Sequence, residues 1–513
     1  MAKYRDYSYE QSRLLPVSLK NQIQPGTIEY TINYLVDHEI DLSVFDEQYK
    51  NDETGAPAID PAILLKIILF AYSRGIISSR KIARACEENV VFMALAADTR
   101  PHFTTIADFI SSMGDKIVTV FRDILSVCYT EGLIGKQMFA VDGCKISSNC
   151  AKEWSGTKEE LRKKAERIEN SVKLLIRRHR QEDKGKKDPD QKEKEKRAEK
   201  NLKAKAKKIR QWLEENEERT GSRGKPVKSN MTDNESAKMP SSHGVIQGYN
   251  GIATVDEKYQ VVVDAQAFGE GHEAKNLGKV VESIEETFGD IDGSERLYRG
   301  VVLTADSGFN SEQAVRTLLD RGIDAYVADP RFRKRDPRFA GQQEYKRKTT
   351  DRKGTSTARK YFSAADFQFD SSGTLICPAG TPMKSSCPNW CDKKKGYTGK
   401  TFKGFEKYCS VCKLQKKCLR SPASKVRQVT KIDVGIRYKQ KSAVQQMVER
   451  FDTLRGRFFY SRRMGTVEPV FANIRHTLGM DHFTLRGREK VDTQWKLFCL
   501  VHNIGKIARY AET

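Results

Sequence analysis

Two stretches of this 513-residue chain end an apolar run on a carboxylate. Val301, Val302, Leu303, Thr304 and Ala305 lead to Asp306, followed by Ser307 and Gly308. Met138, Phe139, Ala140 and Val141 lead to Asp142, followed by Gly143. Such runs suit strands buried on both faces, with each Asp where the strand gives way to a loop and a rigid scaffold displays reactive groups. A lone Asp there is more often a turn or cap residue; two of the same design point to a shared site. A third acid, Glu468, follows Thr466, read as an N-cap, with Pro469 in the first helical turn. That reading turns Val467, Val470 and Ile474 toward the sheet and projects Glu468 near the helix start, beside Arg462 and Arg463. The helix dipole alone would also favour a first-turn Glu. The acids lie 164 and 162 residues apart, so only folding unites them. Three carboxylates suit phosphodiester cleavage by two Mg²⁺ ions about 3.5–4 Å apart, since Mg²⁺ prefers a few carboxylates plus water and substrate oxygens.

The cysteines suggest different chemistry. Six of eleven fall between 377 and 418: Cys377, Cys387, Cys391, Cys409, Cys412 and Cys418. A C-x2-C pair with another Cys close behind suits tetrahedral zinc, whose soft thiolate ligands a short loop turns inward. Cys377, Cys409, Cys412 and Cys418 are the preferred four, Cys387 and Cys391 their rivals, and reduced unliganded thiols the plain alternative. No His stands at ligand spacing among them, which argues against catalytic zinc.

Lys and Arg outnumber Asp and Glu by 91 to 68, a net charge of +23. That excess favours a polyanion, nucleic acid before an anionic membrane surface. The longest apolar run, Ala62 to Tyr72, is interrupted by Lys66 and is too short to span a bilayer. Met1 to Glu10 is polar and lacks the apolar core of a signal peptide, so a reducing cytoplasm is expected.

Residues 1–135 read as an all-helical domain for DNA binding or dimerisation. Ile63, Leu64, Ile67, Ile68 and Tyr72 form one stripe, Ser78 and Ser79 cap a second helix, and Thr104 and Thr105 cap a third. Residues 158–225 are charged yet carry Leu161, Ala165, Ile168, Val172 and Leu175, then Leu202, Ala206, Ile209 and Leu213. These arms around a hinge at Gly185 to Pro189 predict an antiparallel helical hairpin, with Ser222 to Lys228 as return linker. Residues 136–157, 226–329 and 451–513 read as one mixed α/β sheet domain. Strands are expected at 244–254, 259–268 and 324–328, helices at 274–288, 311–321 and 494–510. Residues 330–450 form an irregular basic insertion opening on Arg331, Arg333, Lys334 and Arg335.

In three segments the chain resembles the DDE transposases of bacterial insertion sequences, in the branch with a helical N-terminal domain and an RNase H-like catalytic domain. These are Phe139 to Gly143, Thr304 to Asn310, and Val467 to Arg475; the segment Pro101 to Phe109 and the Lys/Glu-rich hairpin fit the same branch. The resemblance implies Asp142, Asp306 and Glu468 as the Mg²⁺-binding catalytic triad, Mn²⁺ being a substitute. It also implies double-stranded DNA as substrate, end cleavage followed by 3′-hydroxyl attack on target DNA, and a homodimer in the active complex. Many relatives carry a Tyr, an Arg and a Lys around the Glu. Here Arg475 replaces the Lys, and Tyr460 and Arg463 lie one residue further from Glu468 than that pattern requires. Arg462, Arg463 and Arg475, with the basic run at 331–335, are the expected DNA contacts. A nuclease without strand transfer and a non-catalytic DNA-binding protein on a transposase scaffold are the alternatives.

Overall fold

The computed structural model describes residues 18–49, 57–182, 189–220, 224, 226–241, 244–293, 300–339, 361–392, 397–419, 421, 423–432 and 442–511. Residues 1–10, the hinge residues 185–188, and Ser222, Arg223 and Lys225 of the return linker lie outside them. The chain divides into two compact units, Met1–Asp329 with Arg450–Thr513, and Pro330–Glu449.

Among the described residues of the first unit, six α-helices precede the sheet: α1 Ile28–His38, α2 Pro61–Ser73, α3 Ser79–Glu88, α4 Val90–Leu95, α5 Phe103–Ser112 and α6 Lys116–Thr130. Asp60 caps α2 through the Ala62 N–H, with Pro61 at the first position, where its missing donor is harmless. Thr104 and Thr105 do not cap α5. His102 does, its ring accepting from the Thr104 N–H. The imidazole does the work expected of a hydroxyl.

Strand β1 is Met138–Ser147. The helical hairpin follows as α7 Lys158–Glu182 and α8 Pro189–Glu215. Leu161 and Ala165 near the start of α7 pack with Ile209 and Trp212 near the end of α8, so the arms run antiparallel. Glu169 accepts two hydrogen bonds from Arg210 across the pair, both 2.9 Å. Then come β2 Ala237–Ser241, β3 Gly244–Asp256, β4 Val262–Phe268, α9 Leu277–Asp292, β5 Val302–Ala305, α10 Glu312–Asp320 and β6 Asp324–Val327. The sheet is mixed. β1 pairs antiparallel with β3 on one side and parallel with β5 on the other, β5 pairs parallel with β6, and β2 and β4 both pair with β3. All four residues of β5 are buried, as a parallel strand covered on both faces requires.

Two helices close the unit, α11 Leu454–Ala472 and α12 Arg488–Tyr510. Val467, Val470 and Ile474 are fully buried, and α11 packs on β1, β3, β5 and β6. Its start differs from the sequence reading. Thr453 is the N-cap, accepting from the Gly456 N–H, so Thr466, Glu468 and Pro469 lie deep in the helix. An internal Pro removes one i→i−4 bond and orphans a carbonyl. Here the orphan, Gly465 C=O, accepts from Gln260 Nε2 at 3.1 Å. Gln260 also receives, at its own carbonyl, a bond from His502 Nε2, while His502 Nδ1 accepts from Asn473 Nδ2. Burial pulls the His502 pKa down to about 4, so the ring is neutral and both bonds are possible at once. A partner 205 positions away makes the proline tolerable.

Helix α12 is core along most of its length. It packs on α2, α6 and β4, sets Phe498 against Tyr72 with ring centroids 4.8 Å apart and planes tilted by 45°, and donates from Trp495 Nε1 to Ile252 O at 2.9 Å. Through it the N-terminal helices share a core with the sheet, and they belong to the same compact unit.

The unit Pro330–Glu449 is less irregular than its composition suggests. It contains an antiparallel three-stranded sheet, Lys384–Asp392, Tyr397–Lys403 and Gln428–Ile432, over a small core of Phe367, Leu375, Met383, Phe402 and Val429. Strand-favouring residues supply that core (Phe402 and Val429), although charge dominates the sequence around them.

Candidate active site

Asp142 lies on β1 and Asp306 just past the end of β5. Val141 and Ala305 are register partners on these parallel strands, so the aspartates are the next pair along. Asp142 does not end its strand: β1 runs on to Ser147 because β3 keeps pairing with it after β5 has stopped. Each carboxylate is fixed from its own turn. Gly143 N–H donates to Asp142 Oδ1 at 2.9 Å and Gly308 N–H to Asp306 Oδ1 at 2.8 Å.

Arg463, on α11, places its Nη1 2.9 Å from Asp142 Oδ2 and is only 8 % exposed. It is turned inward against Asp142 and is not offered to DNA phosphates. Burial pushes the Asp142 carboxyl up from its ordinary value. Arg463 and the Gly143 N–H oppose that shift, and the nearby Asp306 adds to it. Of the other expected DNA contacts in this unit, Arg462 is ion-paired with Glu257 and Arg475 is exposed. The Arg475 charge is felt at Cys144, where the charges of Asp142 and Glu273 are felt too.

Glu468 lies on the exposed side of α11, next to fully buried Val467. At about 100° per residue it points roughly 140° away from Arg463. Among the described residues, no three His, Cys, Asp or Glu side chains stand in an arrangement that could hold a metal ion. The two aspartates are therefore brought together and Glu468 is not drawn in to them.

A different carboxylate feels the charge of both. Glu273, in a short turn before α9, would lie 3.1 Å from a Cβ at Gly143 and 2.2 Å from one at Gly308. Burial first, then the Asp306 charge, push its pKa up to about 7; a hydrogen bond from Asn250 Nδ2 opposes the shift and Asp142 adds to it. The sequence reading missed both Glu273 and Asn250. A signal existed in Gly248-Tyr249-Asn250-Gly251, since glycines inside a strand mark a close approach.

In the second unit Cys377, Cys409, Cys412 and Cys418 line one small apolar cavity, together with Phe362, Met383 and Tyr408. Burial raises the Cys418 thiol, Arg427 opposes this, and the charges of Cys409, Cys377 and Cys412 all reach it. Cys387 and Cys391 lie on the strand Lys384–Asp392 and are not among the lining residues. Arg333 and Lys334 are exposed on a short helix, Phe332–Arg335; Arg331 is also exposed and Arg335 is half-buried.

Residues 376–508 match a family described as a transposase DDE domain, and residues 17–112 match one described as a transposase domain (DUF772). Two transposase families matching at opposite ends of the chain, in this order, indicate an insertion-sequence DDE transposase. The first match includes Glu468, while Asp142 and Asp306 fall outside both. No curated protein matches the chain. Among the described residues, no helix is long and apolar enough to cross a membrane.

Proposed function

We propose that this transposase binds the terminal inverted repeats of its element as a homodimer. It would cut DNA at the ends in a Mg²⁺-dependent hydrolysis and join the freed 3′-hydroxyls to target DNA. The observation that carries the reading is the register of Asp142 and Asp306 on neighbouring parallel strands, in a mixed sheet that suits the RNase H-like expectation. Bound Mg²⁺ would supply an activated nucleophile and charge neutralisation at the scissile phosphate. Asp142 and Asp306 would hold it, each oriented by a glycine N–H. Glu468, on the helix that carries Arg463, would complete the set. Exposed Arg475, Arg333 and Lys334 would meet phosphates, with affinity falling steeply as salt rises.

The test uses labelled duplex carrying the element end and flanking DNA, with Mg²⁺, and the same duplex supplied pre-cut. Wild type is expected to cut the first and join the second. Cutting without joined product would make the chain a nuclease, and binding without either would make it an architectural protein.

The second unit has a structural role in this reading. Cys377, Cys409, Cys412 and Cys418 would close on one zinc ion, since four soft donors around one cavity fit its preference. Full-length protein is expected to retain about one zinc per chain after extensive dialysis. Cys412→Ser should lose that zinc while Cys391→Ser keeps it. Equal zinc content in both variants would remove the assignment.

A further inference from the structure

The helical hairpin of α7 and α8 has no part in the chemistry above, yet where it leaves the sheet it borders a cavity of about 540 Å³. Ser148 and Trp154 reach this cavity from the chain just after β1, Lys208 from α8, and His482 and Arg486 from the loop before α12. No Asp or Glu is among the described residues that line it. Lys208 and Arg486 are exposed, and Arg486 is aimed by its Nε, which donates to Asn149 O at 2.6 Å. His482 pairs with Asp481 through Nδ1. Trp154 is half-buried against the hairpin core, and Lys164 Nζ lies 4.7 Å from its ring centroid. The cavity is polar elsewhere: the side chains of Ser148 and Cys150 meet at 2.7 Å.

Like charges gathered from distant segments of a chain oppose folding unless something negative joins them. An anionic protein segment would use the cations here and leave the tryptophan idle. A nucleotide uses both, because its phosphate seeks Lys and Arg and every base has a face for an aromatic ring. We propose that the cavity takes one unpaired nucleotide of a DNA strand, its phosphate meeting Lys208 and Arg486 and its base lying against Trp154. The assignment rests on the DNA-cutting reading above and adds a contact to it. Ser148 follows Asp142 by six residues, which is about 20 Å at the rise of a strand, or about six base steps of duplex. The nucleotide held here is therefore not the one being cut. The hairpin gains a use as well, since α8 supplies one of the two phosphate contacts.

Tryptophan fluorescence of the full-length protein, titrated without metal with an oligothymidylate single strand, tests this. Trp154 is one of four tryptophans. The strand is expected to quench emission in wild type, and Trp154→Phe to lose most of that quenching. Lys208→Gln combined with Arg486→Gln should weaken binding about tenfold and lower the salt slope by about 0.7 for the phosphate lost. Lys203→Gln combined with Lys207→Gln removes the same charge from another face of α8 and should leave affinity near wild type. All four side chains are exposed, so these variants keep the fold. Equal weakening in the two pairs, or quenching undiminished in Trp154→Phe, would overturn the site. Thymidine 5′-monophosphate quenching Trp154 where the oligothymidylate does not would overturn a DNA strand as the occupant. No cutting is read in this titration, so failure of the transposase reading shows only in the duplex assay above.

Discussion

Asp306→Asn is expected to lower Mg²⁺-dependent strand cleavage by at least about 10³-fold, the scale seen when one member of a catalytic unit is removed, while the variant still shifts end DNA in a gel. Asp306 is the cleaner of the two aspartates to test. Its Gly308 N–H bond survives in an asparagine, whose Oδ1 still accepts. Asp142→Asn should lose cleavage on the same scale but also leaves buried Arg463 facing an uncharged group, so its melting temperature must be read beside its activity. Glu468→Gln is expected to lose cleavage by a comparable factor for a different reason. Glu468 is exposed on α11 and apart from the aspartates, so it would be recruited only with DNA in place. Mn²⁺ uptake by the DNA-free protein should therefore hardly change in that variant. If Glu468→Gln cuts at the wild-type rate, the third acid lies elsewhere.

The contrast between Glu468 and Glu273 shows where the sequence was readable. A strand buried on both faces has a local signature, so Val302 to Ala305 and Met138 to Val141 could be placed from their own residues, and the register between them followed. The hydrophobic rhythm of the helical hairpin was equally plain, because its core contacts come largely from within the hairpin. The start of α11 was not. Thr466 and Pro469 carry the local marks of a helix N-terminus, and what overrides them is Gln260, remote in sequence, which satisfies the carbonyl that Pro469 strips of its donor. Asn250 and Glu273 were hidden for a similar reason. Neither ends an apolar run, and their meaning lies in the distance to Gly143 and Gly308, which only the sheet and the turn before α9 create. Cys409 and Cys412 stand out in the sequence because C-x2-C spacing is itself a geometry, whereas that Cys377 and Cys418 line the same cavity is seen only in the fold.

Arg463→Met is the second substitution for which a large effect is expected, and its direction separates two roles for an arginine in a DNA-cutting enzyme. As a phosphate contact, its loss would weaken DNA binding and reduce the salt slope by about one. The structure instead buries Arg463 and pairs it with Asp142. End binding and its salt dependence should therefore stay close to wild type, while stability falls. Removing one partner of a buried pair costs about 3–5 kcal/mol, and the lower end applies because the Asp142 side chain keeps 22 % of its exposure. The pH dependence follows from the sign of the shift. The folded-state pKa of Asp142 is already raised by burial, and Arg463 opposes that rise. Without Arg463 it rises further. A carboxyl that holds its proton more tightly when folded than when unfolded contributes a stability that is lost as pH rises from its ordinary value of 3.8 through the folded pKa. Arg463→Met should therefore lie furthest below wild type near neutral pH and recover part of the difference in acid. Ca²⁺ should restore stability at neutral pH more in the variant than in wild type, since a bound cation replaces the missing charge beside Asp142. Thermal melts at pH 5 and pH 7.5, with and without Ca²⁺, decide it. A loss of stability independent of pH and Ca²⁺ would reduce Arg463 to packing, and weakened DNA binding would return it to the phosphate contacts.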